Sequence, residues 1–230
     1  MKIYTLNEKN SIFNRFIAEM RDVQIQKDAT RFRINLERVG EIFAYEISKT
    51  LDYSPAEVQT PLGIATCSLP VDQIVIASIL RAGIPMHNGL LNFFDKAQNA
   101  FIAAYRKYGK DNKFTIQLEY MASPEIEGKV LILADPMLAT GASALLTYQS
   151  LLVKGNPKHC HFVSAIASKE GATKGFISLI VAVHATGPAN AGTKRSAESI
   201  LRSMFWKNSL NSCTTRALYR SWFPLTSSIN

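Results

Sequence analysis

The sequence predicts an α/β protein with an open, mainly parallel sheet that helices cover on both faces. Short β-branched apolar runs alternate with stretches of helical spacing, which is the order that parallel sheets require. Two of the runs, at 73–79 and 129–134, are apolar on both faces, as in strands buried inside such a sheet. With 230 residues and 47% hydrophobic content, the chain is large enough for one domain with a substantial core.

Two helices are expected over residues 12–50. Apolar residues recur there at helical spacing, and Asp28 to Thr30 supplies a start signal for the second helix. The positions are Ile12, Phe13, Phe16, Ile17 and Met20, then Phe32, Leu36, Val39, Ile42, Phe43, Tyr45 and Ile47. Residues 1–14 carry no motif that indicates a function.

The remaining elements follow in alternation after a stretch punctuated by Pro55, Pro61 and Pro70. We expect strands at 73–79, 100–105, 129–134 and 161–167, an antiparallel or edge arm at 115–121, and helices at 85–94 and 143–153, the latter closed by Lys154 and Gly155. Ligands of such sheets bind at the carboxyl ends of the strands, so the loops after 73–79, 100–105 and 129–134 are the ones to consider.

Composition excludes several classes of protein. No run approaches 18 apolar residues and the first residues lead into a polar segment, so we expect no membrane span, no signal peptide and a cytoplasmic protein. Cys67, Cys160 and Cys213 lie far apart, which argues against a disulfide framework and a zinc site. The run His159-Cys160-His161 could supply metal ligands, but alternation along a strand explains it better.

The net charge of +8 is concentrated at one end of the chain. Residues 172–230 contain seven Lys or Arg and one acidic residue, a net charge of +6, which leaves +2 for residues 1–171. The basic character therefore says little about the partners of the main body, and nucleic acid is not an expected partner there.

The segment VLILADPMLATGASALL, residues 130–146, has the pattern of a phosphate site. An apolar strand ends at Asp135, and Thr140, Gly141, Ala142 and Ser143 lead into a helix whose first N–H groups can hold an anion. The Asp135 carboxylate could accept hydrogen bonds from ligand hydroxyls, or it could be a structural turn or cap residue. Thr140 and Ser143 are the better capping candidates. The segment is not a Walker loop, because GxxxxGK[ST] is absent.

Two arginines stand at the ends of two other strands. Arg81 lies in ILRAGIP directly after the run 73–79, and Arg106 lies in AAYRK after the run 100–105. Each alone is compatible with an ordinary surface arginine. Together with the phosphate loop they predict an electropositive rim suited to a ligand that carries phosphates at both ends.

These segments resemble the uracil phosphoribosyltransferase family. ILRAGIPMHNGLL at 79–91, IAAYRK at 102–107 and ILADPMLATGAS at 132–143 match the family in order and spacing, and residues 21–46 resemble its N-terminal helices. The resemblance covers about residues 15–171, and DPMLATG is highly specific to the family. It implies a type I phosphoribosyltransferase-like sheet with a small hood.

The resemblance implies transfer of ribose 5-phosphate from 5-phospho-α-D-ribose 1-diphosphate (PRPP) to N1 of uracil, which gives UMP and diphosphate in pyrimidine salvage. The ribose 5-phosphate would lie in the loop from Asp135 to Ser143, which comprises Asp135, Pro136, Met137, Leu138, Ala139, Thr140, Gly141, Ala142 and Ser143. Asp135 would contact the ribose hydroxyls, and Arg81 and Arg106 would contact the pyrophosphate. These three are the expected catalytic residues. Mg²⁺ is the implied cofactor, held mainly by PRPP rather than by protein ligands. A GTP effector and a homo-oligomer are also implied, without residues to assign to them.

Two departures from the family accompany the match. Ala142 stands where the family usually has a second glycine, which costs about 1 kcal/mol if that position requires a positive φ. The family's uracil-binding segment, which resembles YIVPGLGDAGD, has no counterpart, and no Asp follows Gly171. No uracil-binding residue is therefore assigned.

Residues 1–171 are thus expected to form the phosphoribosyltransferase core and residues 172–230 an atypical C-terminal segment. That segment is either a different module or a stretch read out of frame. A one-base shift of the codons for the family's Tyr-Ile-Val-Pro-Gly-Leu is compatible with the six residues 218–223 but not with Pro224. The segment could still contain a strand over 176–183 and a helix over 197–206.

The alternative to the enzyme is a PRPP-binding, non-catalytic or regulatory protein that has lost its uracil pocket. A further alternative is an RNA-binding regulator that uses the basic segment.

Overall fold

The computed structural model describes residues 2–108, 114–172 and 178–184. In these residues, eight strands form one sheet and two more form a separate hairpin. The strands of the sheet are β1 (Lys2–Thr5), β4 (Ile74–Leu80), β5 (Gln98–Tyr108), β6 (Phe114–Ala122), β7 (Val130–Ala134), β8 (Met137–Leu138), β9 (His159–Ala167) and β10 (Ser178–His184). The hairpin consists of β2 (Tyr53–Thr60) and β3 (Gly63–Pro70). The helices are α1 (Ile12–Arg21), α2 (Ala29–Ser48), α3 (Ile84–Phe93), α4 (Ala142–Leu151) and the single turn α5 (Lys169–Ala172).

The sheet is open and mainly parallel, as expected. Its strand order is β1-β10-β9-β7-β4-β5-β6, and the short β8 pairs with β9. All pairs are parallel except β5–β6, so β6 is the antiparallel edge arm that the run 115–121 predicted. β7 occupies the middle of the sheet, and β4 and β7 are almost entirely buried. The predicted fold class is confirmed.

Helices cover both faces of the sheet. Alternate residues of β4 and β7, such as Ile76 and Ile132, pack under α1, α2 and α3, while Leu131 and Leu133 face the other way toward α4. Asp28 caps α2 by accepting hydrogen bonds from the backbone N–H groups of Thr30 and Arg31, as its position in the sequence predicted. The result is two apolar cores, one on each side of a single sheet.

Close packing of α2 on α3 fixes the start of α3, which adjoins the candidate site. A Cβ atom at Gly89 would lie 1.9 Å from the carbonyl oxygen of Glu37, and one at Gly40 would lie 2.4 Å from that of Met86. Neither position can carry a larger side chain without separating the two helices. The loop that contains Arg81 therefore leads into a helix with a firmly defined position.

The β2–β3 hairpin corresponds to the stretch in which the sequence showed only proline punctuation. Its strands pair antiparallel from Tyr53↔Pro70 to Thr60↔Gly63, and Gly63 has a φ of 129°. At its base, Lys158 Nζ lies 2.6 Å from Asp52 Oδ2 and 2.5 Å from Asp72 Oδ1. These ion pairs connect the hairpin to the start of β9.

The structure describes only part of the C-terminal segment, residues 172–230. β10 overlaps the apolar run 176–183 and lies between β1 and β9, so the sheet continues past residue 171. The expected helix at 197–206 and the rest of the segment from 185 onward lie outside the described residues. The small hood that the resemblance implies stays a prediction.

Candidate functional site

Two of the three candidate loops leave the sheet at neighbouring positions. Ser78 of β4 pairs in parallel register with Ala134 of β7. Asp135 comes one residue after Ala134, and Arg81 comes three residues after Ser78. The carboxyl edge of the sheet thus brings Asp135 and Arg81 to the same end of adjacent strands, as the sequence predicted.

The loop after β7 has more internal structure than the expected turn. Asp135 donates its backbone N–H to the carbonyl oxygen of Val163 (3.1 Å), and Met137 and Leu138 then form β8 beside β9. The side chains of Pro136 and Leu138 are buried, and their carbonyl oxygens accept hydrogen bonds from the N–H groups of Ile166 and Ser168. Ala139 and Thr140 are exposed. Gly141 is buried and Ala142 and Ser143 are half-buried, so the exposed part of the loop is confined to Ala139 and Thr140.

Gly141 gives the loop the turn that starts α4. Its φ is 74°, in the left-handed region where glycine is strongly preferred, and it is the N-cap residue of the helix. No side chain caps α4, although Thr140 Oγ1 accepts a 3.4 Å hydrogen bond from the backbone N–H of Ala142. Ser143, expected as a capping candidate, lies inside the helix instead. Ala142 is the first helical residue, so its replacement of a glycine imposes no left-handed strain.

Asp135 lies partly buried where the loop leaves β7. Burial raises the pKa of its carboxyl group to about 7, and the hydrogen bond from the Met137 N–H, at 3.5 Å, opposes the rise. This long contact resembles an Asx turn, the structural role considered for Asp135. An ionised carboxylate can accept about four hydrogen bonds, so capacity for ligand hydroxyls remains.

Arg81 begins a tight loop that packs against the end of β7. Its side chain is exposed, and the Leu80–Arg81 peptide bond is cis. Gly83 donates its N–H to the carbonyl oxygen of Ile79 (3.1 Å), and a Cβ atom at Gly83 would lie 3.1 Å from the carbonyl oxygen of Ala134. The Arg81 loop therefore lies directly beside the strand end that carries Asp135.

A polar network of Ser78, His87 and Asn99 supports this loop and was not predicted from the sequence. His87 Nδ1 lies 2.8 Å from Ser78 Oγ, and His87 Nε2 lies 2.8 Å from Asn99 Oδ1. Since an amide oxygen only accepts, Nε2 carries the hydrogen and Nδ1 of the neutral ring accepts from the Ser78 hydroxyl. Burial lowers the pKa of His87, and the bond to Asn99 opposes that shift. One feature of the sequence could have indicated this network, because Ser78 is a hydroxyl residue inside an otherwise apolar strand.

The expectation that Arg106 follows a strand ending at residue 105 is wrong. β5 continues to Tyr108, and Arg106 is paired with Ile116 of the antiparallel β6. The two neighbours of β5 pair with different lengths of it. Its pairing with β4 ends at Leu80↔Ala103, whereas its pairing with β6 continues to Tyr108↔Phe114 and extends the strand. Arg106 still lies three residues beyond the last residue paired with β4, on the carboxyl side of the sheet.

The run His159-Cys160-His161 forms the first three residues of β9. His159 and His161 lie on the same face of the strand with ring centroids 4.4 Å apart, and His161 Nε2 is 3.3 Å from Thr50 Oγ1. Burial, helped by the charge of His159, lowers the pKa of His161 to about 4. Within residues 2–108, 114–172 and 178–184, no three His, Cys, Asp or Glu side chains are grouped as metal ligands would be. The interpretation of this run as strand alternation is confirmed.

None of the helices in the described ranges is both long enough and apolar enough to cross a lipid bilayer.

The chain matches known proteins over the part that contains this site. A model of the family "Uracil phosphoribosyltransferase" matches residues 8–180. A uracil phosphoribosyltransferase of Porphyromonas gingivalis is 56% identical over 170 residues, which are 74% of this chain and 79% of that protein. One from Pyrococcus furiosus is 34% identical over 175 residues, 75% of this chain and 73% of that protein.

A solved structure shares the fold. The AQ2163 protein from Aquifex aeolicus superposes with a TM-score of 0.68 at 25% identity, over 79% of this chain and 86% of that one. The family match includes the Arg81 loop, β5 and the loop from Asp135 to Ser143, and it ends at residue 180, close to the change in composition. The chain belongs to the uracil phosphoribosyltransferase family.

Proposed function

We propose that this protein is a uracil phosphoribosyltransferase, a pentosyltransferase that converts uracil and PRPP to UMP and diphosphate. The observation that carries the proposal is the loop from Asp135 to Ser143, which follows the central strand, turns at a left-handed Gly141 and lies within the family match. A relative that carries this name is identical at 56% of 170 aligned residues.

The reaction separates charge, and the proposed site is arranged for that separation. Breaking the bond between C1 of the ribose and the pyrophosphate develops positive charge on the sugar and negative charge on the leaving group. Arg81, beside the end of β7, and Arg106, on the projecting part of β5, supply fixed positive charge for the pyrophosphate. Cations held in place before the reaction lower the barrier without a covalent intermediate on the protein.

Asp135 and the loop that follows it hold the other half of PRPP in this proposal. The carboxylate accepts hydrogen bonds from the ribose hydroxyls, while the backbone N–H groups of residues 139–143 and the start of α4 receive the 5-phosphate. Pro136, Met137 and Leu138 anchor the loop beside β9. N1 of uracil attacks C1 as the pyrophosphate leaves, and the proton of N1 is released.

Mg²⁺ is the metal ion that we propose for the reaction. At the described loops Asp135 is a single carboxylate without a grouped set of further ligands, so most of the oxygens around Mg²⁺ would come from PRPP and water, an arrangement that this ion favours. When bound, Mg²⁺ supplies further neutralisation of the pyrophosphate charge.

The alternative, a protein that binds PRPP without turnover, is less favoured because the relatives at 56% and 34% identity are named as the enzyme. Nothing in the described residues favours RNA binding. A cytoplasmic location, a GTP effector, a homo-oligomer and the division into a core of residues 1–171 and an atypical segment of residues 172–230 stay predictions. We assign no residue to the uracil pocket.

Release of diphosphate tests the proposal. The full 230-residue chain is incubated with PRPP and Mg²⁺, with and without uracil, and diphosphate and UMP are both measured. We expect both products in equal amounts, and only when uracil is present. PRPP binding without UMP formation would instead support the non-catalytic alternative. Asp135→Asn should reduce UMP formation, and Asp95→Asn, at an exposed position after α3, is the matched control.

A further inference from the structure

The candidate phosphate loop is held from behind by the end of β9. Met137 and Leu138 pair in parallel with Ile166 and Ala167, and the Ile166 N–H donates to the carbonyl oxygen of Pro136 at 3.1 Å. The next residue along, Ser168, donates its backbone N–H to the carbonyl oxygen of Leu138 at 2.9 Å. The pairing of the loop with β9 thus ends at Ser168.

The Ser168 hydroxyl makes two further bonds in opposite senses. It donates to the carbonyl oxygen of Ala139, and it accepts the backbone N–H of Gly171 at 2.9 Å, which caps α5. A hydroxyl has one hydrogen to give and lone pairs to receive, so a single serine can join the loop to α5. Alanine at this position would lose both bonds.

Gly171 allows α5 to approach the same two carbonyl groups. A Cβ atom at this position would lie 2.7 Å from the Leu138 oxygen and 2.8 Å from the Ala139 oxygen. Both distances are shorter than real Cβ contacts, and the obstructing atoms are backbone. Any side chain at Gly171 therefore has to displace the loop or α5.

Because a peptide unit is planar, the direction of each of these carbonyl groups fixes the direction of the N–H group that follows it. In a trans peptide the C=O and the following N–H point in opposite directions. Since the Leu138 and Ala139 carbonyls point toward Ser168, the N–H groups of Ala139 and Thr140 point away from it, toward the exposed side of the loop. Successive N–H groups aimed at one side form an anion-binding concavity.

We infer that Ser168 and Gly171 are positioning residues for the 5-phosphate of PRPP, acting through the N–H groups of Ala139 and Thr140. The inference rests on the proposed function, since it concerns the phosphate loop of that site. It adds two residues outside the loop, at the junction of β9 and α5, to the machinery that binds PRPP.

Calorimetric titration with ribose 5-phosphate, and separately with Mg²⁺-pyrophosphate, tests the inference. Ser168→Ala should weaken ribose 5-phosphate binding about 10- to 100-fold, the scale for losing two hydrogen bonds between uncharged groups, and leave pyrophosphate binding unchanged. Ser168→Thr, which keeps the hydroxyl, should restore affinity. Ser150→Ala is the matched control, because its hydroxyl also donates to a backbone carbonyl, that of Leu146, but within α4.

Gly171→Ala separates positioning from ordinary helix stability. Helix propensity alone predicts that alanine stabilises α5. The close approach predicts that the loop is displaced and that ribose 5-phosphate binding falls by a similar factor. Hydrogen exchange of the wild-type protein gives a measurement independent of variants, since ribose 5-phosphate should slow exchange of the segment containing Ala139 and Thr140.

Several results would overturn the inference. If Ser168→Ala and Gly171→Ala bind ribose 5-phosphate as tightly as the wild type, neither residue positions the loop. Equal loss of ribose 5-phosphate and pyrophosphate binding would indicate a general structural role instead. In both cases the proposed function would stand. Failure of the wild type to bind ribose 5-phosphate, together with an absence of UMP formation, would reject both the inference and the proposed function.

Discussion

Asp135 is the residue whose ionisation should control PRPP binding near neutral pH. Its pKa is raised to about 7 by burial, so the carboxyl group is mostly protonated at pH 6 and mostly ionised at pH 8. If the ionised form accepts the ribose hydroxyls, kcat/KM for PRPP should rise about tenfold between these pH values. The measurement is a pH profile of kcat/KM with uracil held at saturation.

The same profile of Asp135→Asn provides the control, because PRPP itself titrates in this range. Dividing the wild-type values by the variant values cancels the contribution of the substrate. The ratio should fall as the pH decreases through 7. A ratio that stays constant from pH 6 to pH 8 would mean that ionisation of Asp135 is not required.

Arg106 is the second residue with a direct test. Arg106→Ala should lower kcat/KM for PRPP by a factor of about 10 to 1,000, the scale for removing one group that stabilises developing charge. Arg33→Ala, at an exposed position on α2 and outside the candidate loops in the sequence, removes the same charge. Unchanged kinetics for Arg106→Ala would remove this residue from the site, whereas equal losses in the two variants would point to net charge alone.

At the scale of elements, the turn at Gly141 links local backbone geometry to ligand binding. Gly141→Ala forces alanine to a φ of 74°, which should lower the free energy of unfolding by about 1 kcal/mol. Gly128→Ala is a matched control, because Gly128 has a φ of 66° with open space around it and lies away from the loop. Urea denaturation should show similar losses for both variants, and only Gly141→Ala should weaken PRPP binding. Equal affinities for PRPP in both variants would contradict the assignment of this turn to the site.

The elements that the sequence predicted are those with a strong local pattern. β4 and β7 were found from continuous apolar runs, and α2 from its apolar spacing and the Asp28 cap. The β2–β3 hairpin was missed because most of its residues are exposed, so it lacks the alternation that marks a strand with one buried face. β1 was missed because its pairing with β10 joins residues far apart in the chain.

The residues of the candidate site also differ in whether a local sequence pattern predicted them. Asp135, Arg81 and the turn at Gly141 were predictable from short motifs at strand ends. The contribution of Ser168 and the support from His87 depend on contacts between residues that are distant in sequence, 29 positions apart for Ser168 and Ala139. The reach of β5 past Ala103 depends on a partner strand, β6, and not on the residues around Arg106.

At the scale of the whole molecule, His161 should make folding sensitive to acid. Burial lowers its pKa from the usual 6.5 to about 4. The unfolded state therefore binds a proton more readily, so the stability contributed by neutral His161 is complete above pH 6.5 and is lost as the pH falls toward 4. The expected loss between pH 7.5 and pH 4.5 is about 2 to 3 kcal/mol.

Comparison with His161→Leu isolates this effect from other titrating groups, including Asp135, whose raised pKa acts in the opposite direction. The free energy of unfolding of both proteins is measured by urea denaturation at the two pH values. The difference between them should shift by 2 to 3 kcal/mol in favour of the variant at pH 4.5. A difference that is independent of pH would show that His161 does not resist protonation.

The central claim is that this chain forms a working site for PRPP and uracil. Sequential calorimetry tests it most directly, with PRPP and Mg²⁺ titrated into the 230-residue protein and uracil then added to the same cell. We predict saturable PRPP binding, followed on addition of uracil by sustained heat of reaction and accumulation of UMP. PRPP binding with no heat and no UMP after uracil is added would contradict the account, because it would leave a phosphate site without a transferase.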